Sequence, residues 1–563
     1  ASKGFKVIPF DMLSNGHNKS YDNMYWYSGN QLLPIARYVS EHPQLFGVFI
    51  TNFSCGPDSF IIPYFRRIMG TKPSITLELD SHSADVGIDT RIDAAIDIIR
   101  NYIELRKKNL VTNKSYKKSH LEVINTNNNI LIVDKRGKEY SITSKEVEVI
   151  IPSMGRFSTD AFSAVFRSLG IKSKPLPVPT EETLKIGRSI TTCKECLPFI
   201  LTSGSLLEYI KNKESDNNKT LFFMPHGYGP CRQGQYFVRL RDIIDDLNLR
   251  NVGIITMDDE SSFSDFGEDF FKKQWIALMI SDVIHDIENT IKVLAKDKTE
   301  SMNILETEWS KIIQIIEKGN FDKVFEQLNI SAKVLSRINL STSYKNTKTI
   351  SLIGEIYVRR EEFSRNELIK TLIQNGFIIK TAPITEYVYY TNYLQKQNIL
   401  GGMDLRNRIK LTVKDKLQIY YENKVKKILS KSGLIGQDKI RIENTLKYAK
   451  NIMTDKLIGE SILTVGLALR EILDESCGVV SIGPFNCIPS RLAEAILTKE
   501  MSLEGKYNYG KIKRNGYPEN LSDLPYLHIE SDGNLFPQIT QSRIEIFMLQ
   551  ANRLHEEIVK TKH

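Results

Sequence analysis

Short apolar runs alternate with longer segments of mixed apolar and charged residues along almost the whole chain. The runs FGVFITNF, SITLELD, VEVIIPS, TLFFMPHG, NVGIITMD, TISLIGEIYV, GFIIKTAPI and GVVSIGPF are rich in β-branched and aromatic residues and are bounded by Gly, Pro, Asn or Asp. Such runs predict buried strands, and the amphipathic stretches between them predict helices. Regular alternation of the two predicts an α/β protein with mostly parallel sheets. In that class, ligands gather where strands end and helices begin. Two segments break the alternation, about 270–346 and about 385–473, where the pattern is helical and rich in Lys and Glu. They predict a helical insertion beside the sheets. The Lys/Asn-rich stretch 103–128 is the best candidate for a linker.

Two parts of the chain repeat each other. Superposing Cys55 on Cys487 aligns VFITNFSC with VSIGPFNC, and a constant offset then matches PSITLELDSHSADVGIDTRIDAAI with PYLHIESDGNLFPQITQSRIEIFM. Pro73 falls on Pro525, Glu78 on Glu530, Asp80 on Asp532 and Arg91 on Arg543, with an insertion after Cys487. The chain is therefore expected to hold the C-terminal part of a first α/β unit, about 1–115, and a second unit, about 125–563. A unit that starts near its own end is expected to be the tail of a longer polypeptide.

At 563 residues the chain is long enough for several cores. Apolar residues at 41% and charged residues at 25% are those of a globular protein. No run approaches the roughly 18 apolar residues of a membrane span, and the N-terminal stretch has no signal pattern, so a cytoplasmic protein is expected. The net charge of +9 is spread along the chain rather than interleaved with aromatics, which argues against nucleic acid as a partner.

Six cysteines are close to background, and their placement carries the argument. Cys55-Gly-Pro57, Cys196-Leu-Pro198 and Cys487-Ile-Pro489 each place a thiol between a strand-like or turn segment and a helix opened by proline. Cys231, in HGYGPCRQGQYF, sits at a glycine-rich corner of the same kind beside Arg232. A thiol just before a helix N-terminus faces free N–H groups and the positive end of the dipole, which favour thiolate. Four widely separated single cysteines suit an iron–sulfur cluster cupped between domains better than zinc, which usually shows two short ligand pairs. The one CxxC pair, Cys193 with Cys196, has no neighbouring His, and Cys477 opens a strand that reads as buried. A catalytic thiol, Cys196 beside Glu195 or Cys231 near His226, is the weaker alternative. GKYNYGK, at 505–511, lacks the Ser or Thr that a phosphate loop needs after its lysine. Asp80, Asp532, Arg91 and Arg543 could shape a cluster pocket or simply close each sheet.

The strings CGPDSFI, LELDSHSADVGIDTRID, GRSITTCKECLPFILTSG, GPCRQGQY, GEIYVR, APITEYVYYTNY and GPFNCIPSRLAEAIL together give a specific resemblance. The chain resembles large activator-type proteins related to 2-hydroxyacyl-CoA dehydratases, relatives of benzoyl-CoA reductases and double-cubane cluster proteins. That resemblance implies paired Rossmann/flavodoxin-like units, each offering three cysteines to an iron–sulfur cubane, [4Fe-4S], or to a fused [8Fe-9S] cluster. It implies Cys196, Cys231 and Cys487 as ligands of the second unit and Cys55 as the third ligand of the first, whose other two would lie upstream. Gly is expected at position 193 by the same resemblance. The implied partner is an ATP-hydrolysing activator of the actin/Hsp70-like fold, whose own fingerprint is absent from this sequence, and the implied substrate is an acyl-CoA or another small molecule. A cluster carrier that only activates a separate dehydratase, and a zinc-stabilised binding protein, are the alternatives.

Overall fold

The computed structural model describes residues 3–13, 21–52, 55–80, 84–111, 118–126, 129–213, 218–257, 268–510 and 523–562. Three parallel sheets and one antiparallel sheet are built from thirteen strands. Strands β1 (Gly47–Asn52) and β2 (Ser74–Leu79) form a parallel pair. Strands β3 (Glu122–Thr126), β4 (Asn129–Val133) and β5 (Glu139–Ser141) form a small antiparallel meander. The first four-stranded parallel sheet runs β7-β6-β8-β9, from β6 (Val147–Ile151), β7 (Ser173–Pro175), β8 (Lys219–Phe223) and β9 (Val252–Ile255). The second runs β11-β10-β12-β13, from β10 (Thr349–Gly354), β11 (Ile378–Thr381), β12 (Gly478–Pro484) and β13 (Tyr526–Ser531). The α/β class with parallel, Rossmann-like layers is thus as the residue pattern indicates.

Burial explains the pattern. Every residue of β6 and of β12 is buried, as in parallel strands covered by helices on both faces. The helical insertion comprises Glu268–Leu294, Lys298–Glu317 and Phe321–Leu335, joined by Leu405–Leu429 from the second helical segment. Its apolar stripe, including Leu305, Trp309, Ile312 and Ile316, packs into the main core, where the Trp309 indole meets Phe157 edge-on at 5.2 Å. A second core ties the N-terminal portion to the β6–β9 layer, with Phe60 5.3 Å from Phe199 and 5.9 Å from Tyr236.

The stretch read as a linker is ordered at both ends. The helix Asp85–Lys107 and strand β3 enclose it, and the meander pairs with β9 through Leu121 and Gly253.

The internal repeat is reproduced residue by residue. Val48 pairs with Ile75 across β1 and β2, and Val480, its repeat partner, pairs with Leu527, the partner of Ile75, across β12 and β13. Helix Asp85–Lys107 likewise matches Gln538–Lys562. The two copies differ in cover: Val480 and Ile482 are fully buried, whereas Val48 and Ile50 are 57% and 63% exposed. Of the described residues on the N-terminal helix none is buried, while its counterpart buries Ile544, Phe547, Ala551 and Leu554. Among the described residues no helix is long and apolar enough to cross a membrane.

At the end of β10 the backbone crosses β12 so closely that a Cβ on Gly354, at φ +110°, would lie 2.1 Å from the Ile482 carbonyl oxygen. Gly354→Ala is therefore expected to destabilise the chain by at least about 3 kcal/mol, read as a lowered denaturant midpoint, because both the dihedral and the strand spacing are violated.

Candidate functional site

Each singled-out cysteine sits at a helix start. Cys196 is the N-cap of Leu197–Lys211 and Cys487 the N-cap of Ile488–Glu500, both with proline in the first turn. Cys231 caps the short turn Arg232–Gln235 that leads into Tyr236–Asp246. Cys55 precedes Gly56 and Pro57, the cap of Asp58–Met69. The Cys196 corner is held by a tight helical hairpin, in which an added Cβ on Gly204 would meet the Thr183 carbonyl oxygen at 2.2 Å. No side chain could stand between those backbones.

Cys196, Cys231 and Cys487 line one small cavity of about 10 Å³, room for about one water, together with Arg232, Tyr236 and Glu355. The three thiols come from two different sheet layers and from positions up to 291 residues apart in the chain. Cys55 does not line that cavity. It borders a neighbouring cleft of about 610 Å³ with Cys193, Asp58, Glu78, Arg188 and Lys194. The two repeat corners nonetheless touch, since a Cβ on Gly56 would meet Ile488 at 3.1 Å.

Arg232 lies between cavity and cleft, and only 3% of it is exposed. Its guanidinium donates to the carbonyls of Lys194 at 3.3 Å, Phe485 at 3.2 Å and Asn486 at 2.9 Å, and to Ser59 Oγ at 3.3 Å. One side chain thus joins the turns that carry Cys196, Cys487 and, through the Ser59 hydroxyl on the Gly56 carbonyl, Cys55.

Electrostatics differ from the sequence expectation. Burial pushes the Cys196 thiol up, opposed by Arg232 and by the Tyr236 hydroxyl that contacts it. Burial raises Cys487 to about 12 and Cys55 to about 11, and burial followed by repulsion from Cys487 raises Cys231 well above the ordinary thiol range. The helix ends therefore do not by themselves make thiolates here, because desolvation outweighs them. A bound cationic centre reverses that balance, since a coordinating thiol is deprotonated outright.

Tyr236 and Glu355 were not singled out by the sequence. Tyr236 stands inside GPCRQGQY, five residues after Cys231, and Glu355 follows the last residue of β10 within GEIYVR. Glu355 accepts from the Tyr357 and Val358 amides at 3.2 and 2.8 Å, and burial raises its carboxyl above the ordinary range. Glu355 stands at the end of β10, beside β12, which leads to Cys487, whereas Tyr236 opens the helix after β8 in the other sheet.

The other candidates separate cleanly. Cys193 is exposed at φ +62°, the left-handed conformation that glycine adopts without strain. Cys477 is buried in the core, its Sγ 3.3 Å from the Thr349 carbonyl. Glu195 is engaged by the Thr192 amide and hydroxyl at 2.9 and 2.7 Å, not by Cys196, and His226 stacks on Phe237 at 4.8 Å. Neither pair forms a nucleophile with its base. Lys506 is buried within helix Leu503–Gly510 and bonds Asp474 at 3.0 Å, so GKYNYGK starts as a helix. Lys511 lies outside the described residues, as do Ser54 and residues 81–83. Glu530 accepts from the Asn486 amide at 3.1 Å, Asp532 from the Asn534 amide at 3.0 Å, and Arg543 donates to the His528 carbonyl at 3.2 Å. These repeat residues close turns and sheet ends. Arg91 and Asp80 line neither the cavity nor the cleft.

Among the described residues no three His, Cys, Asp or Glu side chains stand close enough to hold a single metal ion. No protein-family model, curated protein or solved structure matches this chain.

Thiol reactivity follows from this geometry. In metal-free protein at pH 8, iodoacetamide is expected to modify exposed Cys193 first and to leave Cys196 and Cys487 unmodified by peptide mass spectrometry. Only the thiolate reacts, so the Cys55 rate should climb about tenfold per pH unit until pH approaches about 11.

Proposed function

We propose that this chain is an iron–sulfur redox protein of the 2-hydroxyacyl-CoA dehydratase type, taking low-potential electrons from an ATP-driven activator and reducing an acyl-CoA or other small molecule. The observation that carries this reading is the meeting of three cysteines, from two α/β layers, around one small cavity. The donor set fits the group. Three thiols with a gap between them suit a cluster that spans them, whereas a structural zinc needs four ligands around one point.

Cys196, Cys231 and Cys487 would hold the cluster, and a bound cluster supplies one-electron chemistry at a potential set by ligation, hydrogen bonding and burial. The protein's own residues prepare the site. Arg232 places a fixed positive charge beside the thiolates and keeps their three turns in register. Tyr236 holds its proton against the Cys196 sulfur, and Glu355 keeps its proton to higher pH than an ordinary carboxyl. Pro198, Pro484, Ile488 and Pro489 give the cavity an apolar lining. The adjoining cleft, with Arg188 and Lys194 on its wall, offers room for a substrate next to the thiol cavity.

The exposed Val48 and Ile50 support the rest of the first unit as a partner. Their buried counterparts on β12 are flanked by β10, and β1 lacks such a neighbour among the described residues. A β10-like parallel strand, with the helices that follow it, is the segment that would cover them, and Cys55 would then serve the cluster of that unit.

Anaerobically purified chain is expected to contain about four irons and four acid-labile sulfides. Zinc alone, without sulfide, would instead favour the zinc-stabilised binding protein. In the same assay Cys196→Ser, Cys231→Ser or Cys487→Ser should each cut iron to a small fraction, while Cys193→Ser and Cys477→Ser retain it. Loss of iron in the last two and retention in the first three would refute the assignment.

A further inference from the structure

A further cavity, of about 80 Å³ and larger than the one lined by the thiols, lies under the helical insertion, away from the cysteines. One wall is the face of β10 and β11 that presents Ser351, Ile353 and Lys380, and the opposite walls are the helices Glu268–Leu294, Ile384–Lys396 and Ser461–Glu471. Exposed residues Asp438 and Lys439 form its rim.

The inner cations of this cavity are already engaged. Lys380 is paired with Glu475 and lies 3.3 Å from both Glu471 and Asp438. Arg470 is paired with Glu471 and donates to Thr445, and Lys426 is 3.0 Å from Glu422. Two carboxyls are left over. Glu386 is only 3% exposed and lines the cavity, yet its carboxyl makes no hydrogen bond or ion pair among the described residues. Asp286 also lines it, and its buried Oδ1 has no hydrogen-bond partner. Buried polar atoms are nearly always satisfied, and leaving two carboxyls without partners inside a fold is costly. Burial accordingly raises Asp286 to about 7 and Glu386 above the ordinary carboxyl range.

The missing partner can be characterised by what is around it. An anion is disfavoured, because the charges of the inner lysines and arginine are paired with carboxylates, and among the unpartnered groups on the wall the carboxyls of Glu386 and Asp286 outnumber the single N–H of Arg470 Nε. A bare metal ion held by three side chains is disfavoured too, since no such trio exists among the described residues. Met279, Ile353 and Leu467 supply apolar wall, which suits an alkyl chain rather than a hydrated ion.

We propose that this cavity binds a primary alkylamine in its ammonium form, with the ammonium donating to Glu386 and Asp286 and the alkyl part lying against Ile353 and Leu467. An ammonium has three donors and no acceptor, which matches two acceptor groups that lack donors. The site is independent of the cysteine cavity and of whatever that cavity holds.

Titration calorimetry of the full chain with putrescine tests the proposal. Saturable binding is expected, weakened at least about tenfold by Glu386→Gln and by Asp286→Asn, because each removes a charge-assisted hydrogen bond. The ligand-free Glu386→Gln variant should melt no lower than the parent, since its carboxyl makes no bond to lose, and this separates lost binding from lost folding. Absence of saturable binding, equal affinity in parent and Glu386→Gln, or complete competition by potassium chloride at equal ionic strength would overturn the proposal.

Discussion

A single buried guanidinium organises the centre of this protein. Arg232 is taken out of water, which costs several kcal/mol unless its donors are satisfied. Its hydrogen bonds to Lys194, Phe485, Asn486 and Ser59 offset that cost, and their positions fix what the residue achieves. Lys194 lies on the turn that carries Cys196, Phe485 and Asn486 on the turn that carries Cys487, and Ser59 on the helix beside Cys55. The thiol corners are therefore brought together by a charge that must be satisfied in one place, not by packing alone. The same charge is the main force opposing burial at the Cys196 sulfur.

Desolvation sets the chemistry of the cavity. A dipole at a helix end is worth a fraction of a kcal/mol to about two, whereas full burial can move a group by several pKa units. The cysteines follow the larger effect, burial holding their thiols protonated beyond the ordinary range. Tyr236 and Glu355 experience the same low-dielectric surroundings. The cavity is thus a place where protons are retained.

Much of this was legible in the chain. Strand runs such as VEVII and GVVSIGP announce full burial on both faces, and the helical insertion follows from residues such as Leu305, Trp309, Ile312 and Ile316 at helical spacing. The Cys-x-Pro corners reveal three helix starts because proline is tolerated at the first turn and little further. The repeat fixes even the strand register. What escaped had no periodic or punctuating signal. Tyr236 and Glu355 are single polar residues whose meaning depends on which strand end faces which, and the β3–β5 meander lies within and just beyond the Lys/Asn-rich stretch that reads as a linker. The effect of burial on the thiols depends on neighbours that only the folded chain assembles.

The contact between Gly56 and Ile488 has a consequence for tolerance to change. Two thiol-bearing turns separated by more than four hundred residues of chain are spaced by hard-core repulsion between a bare backbone and a branched side chain. One extra methyl group at Gly56 would press on Ile488 Cγ1 at 3.1 Å, so that side chain would have to give by a few tenths of an ångström. The dimension that matters most between these corners is therefore governed by the smallest side chain in the neighbourhood.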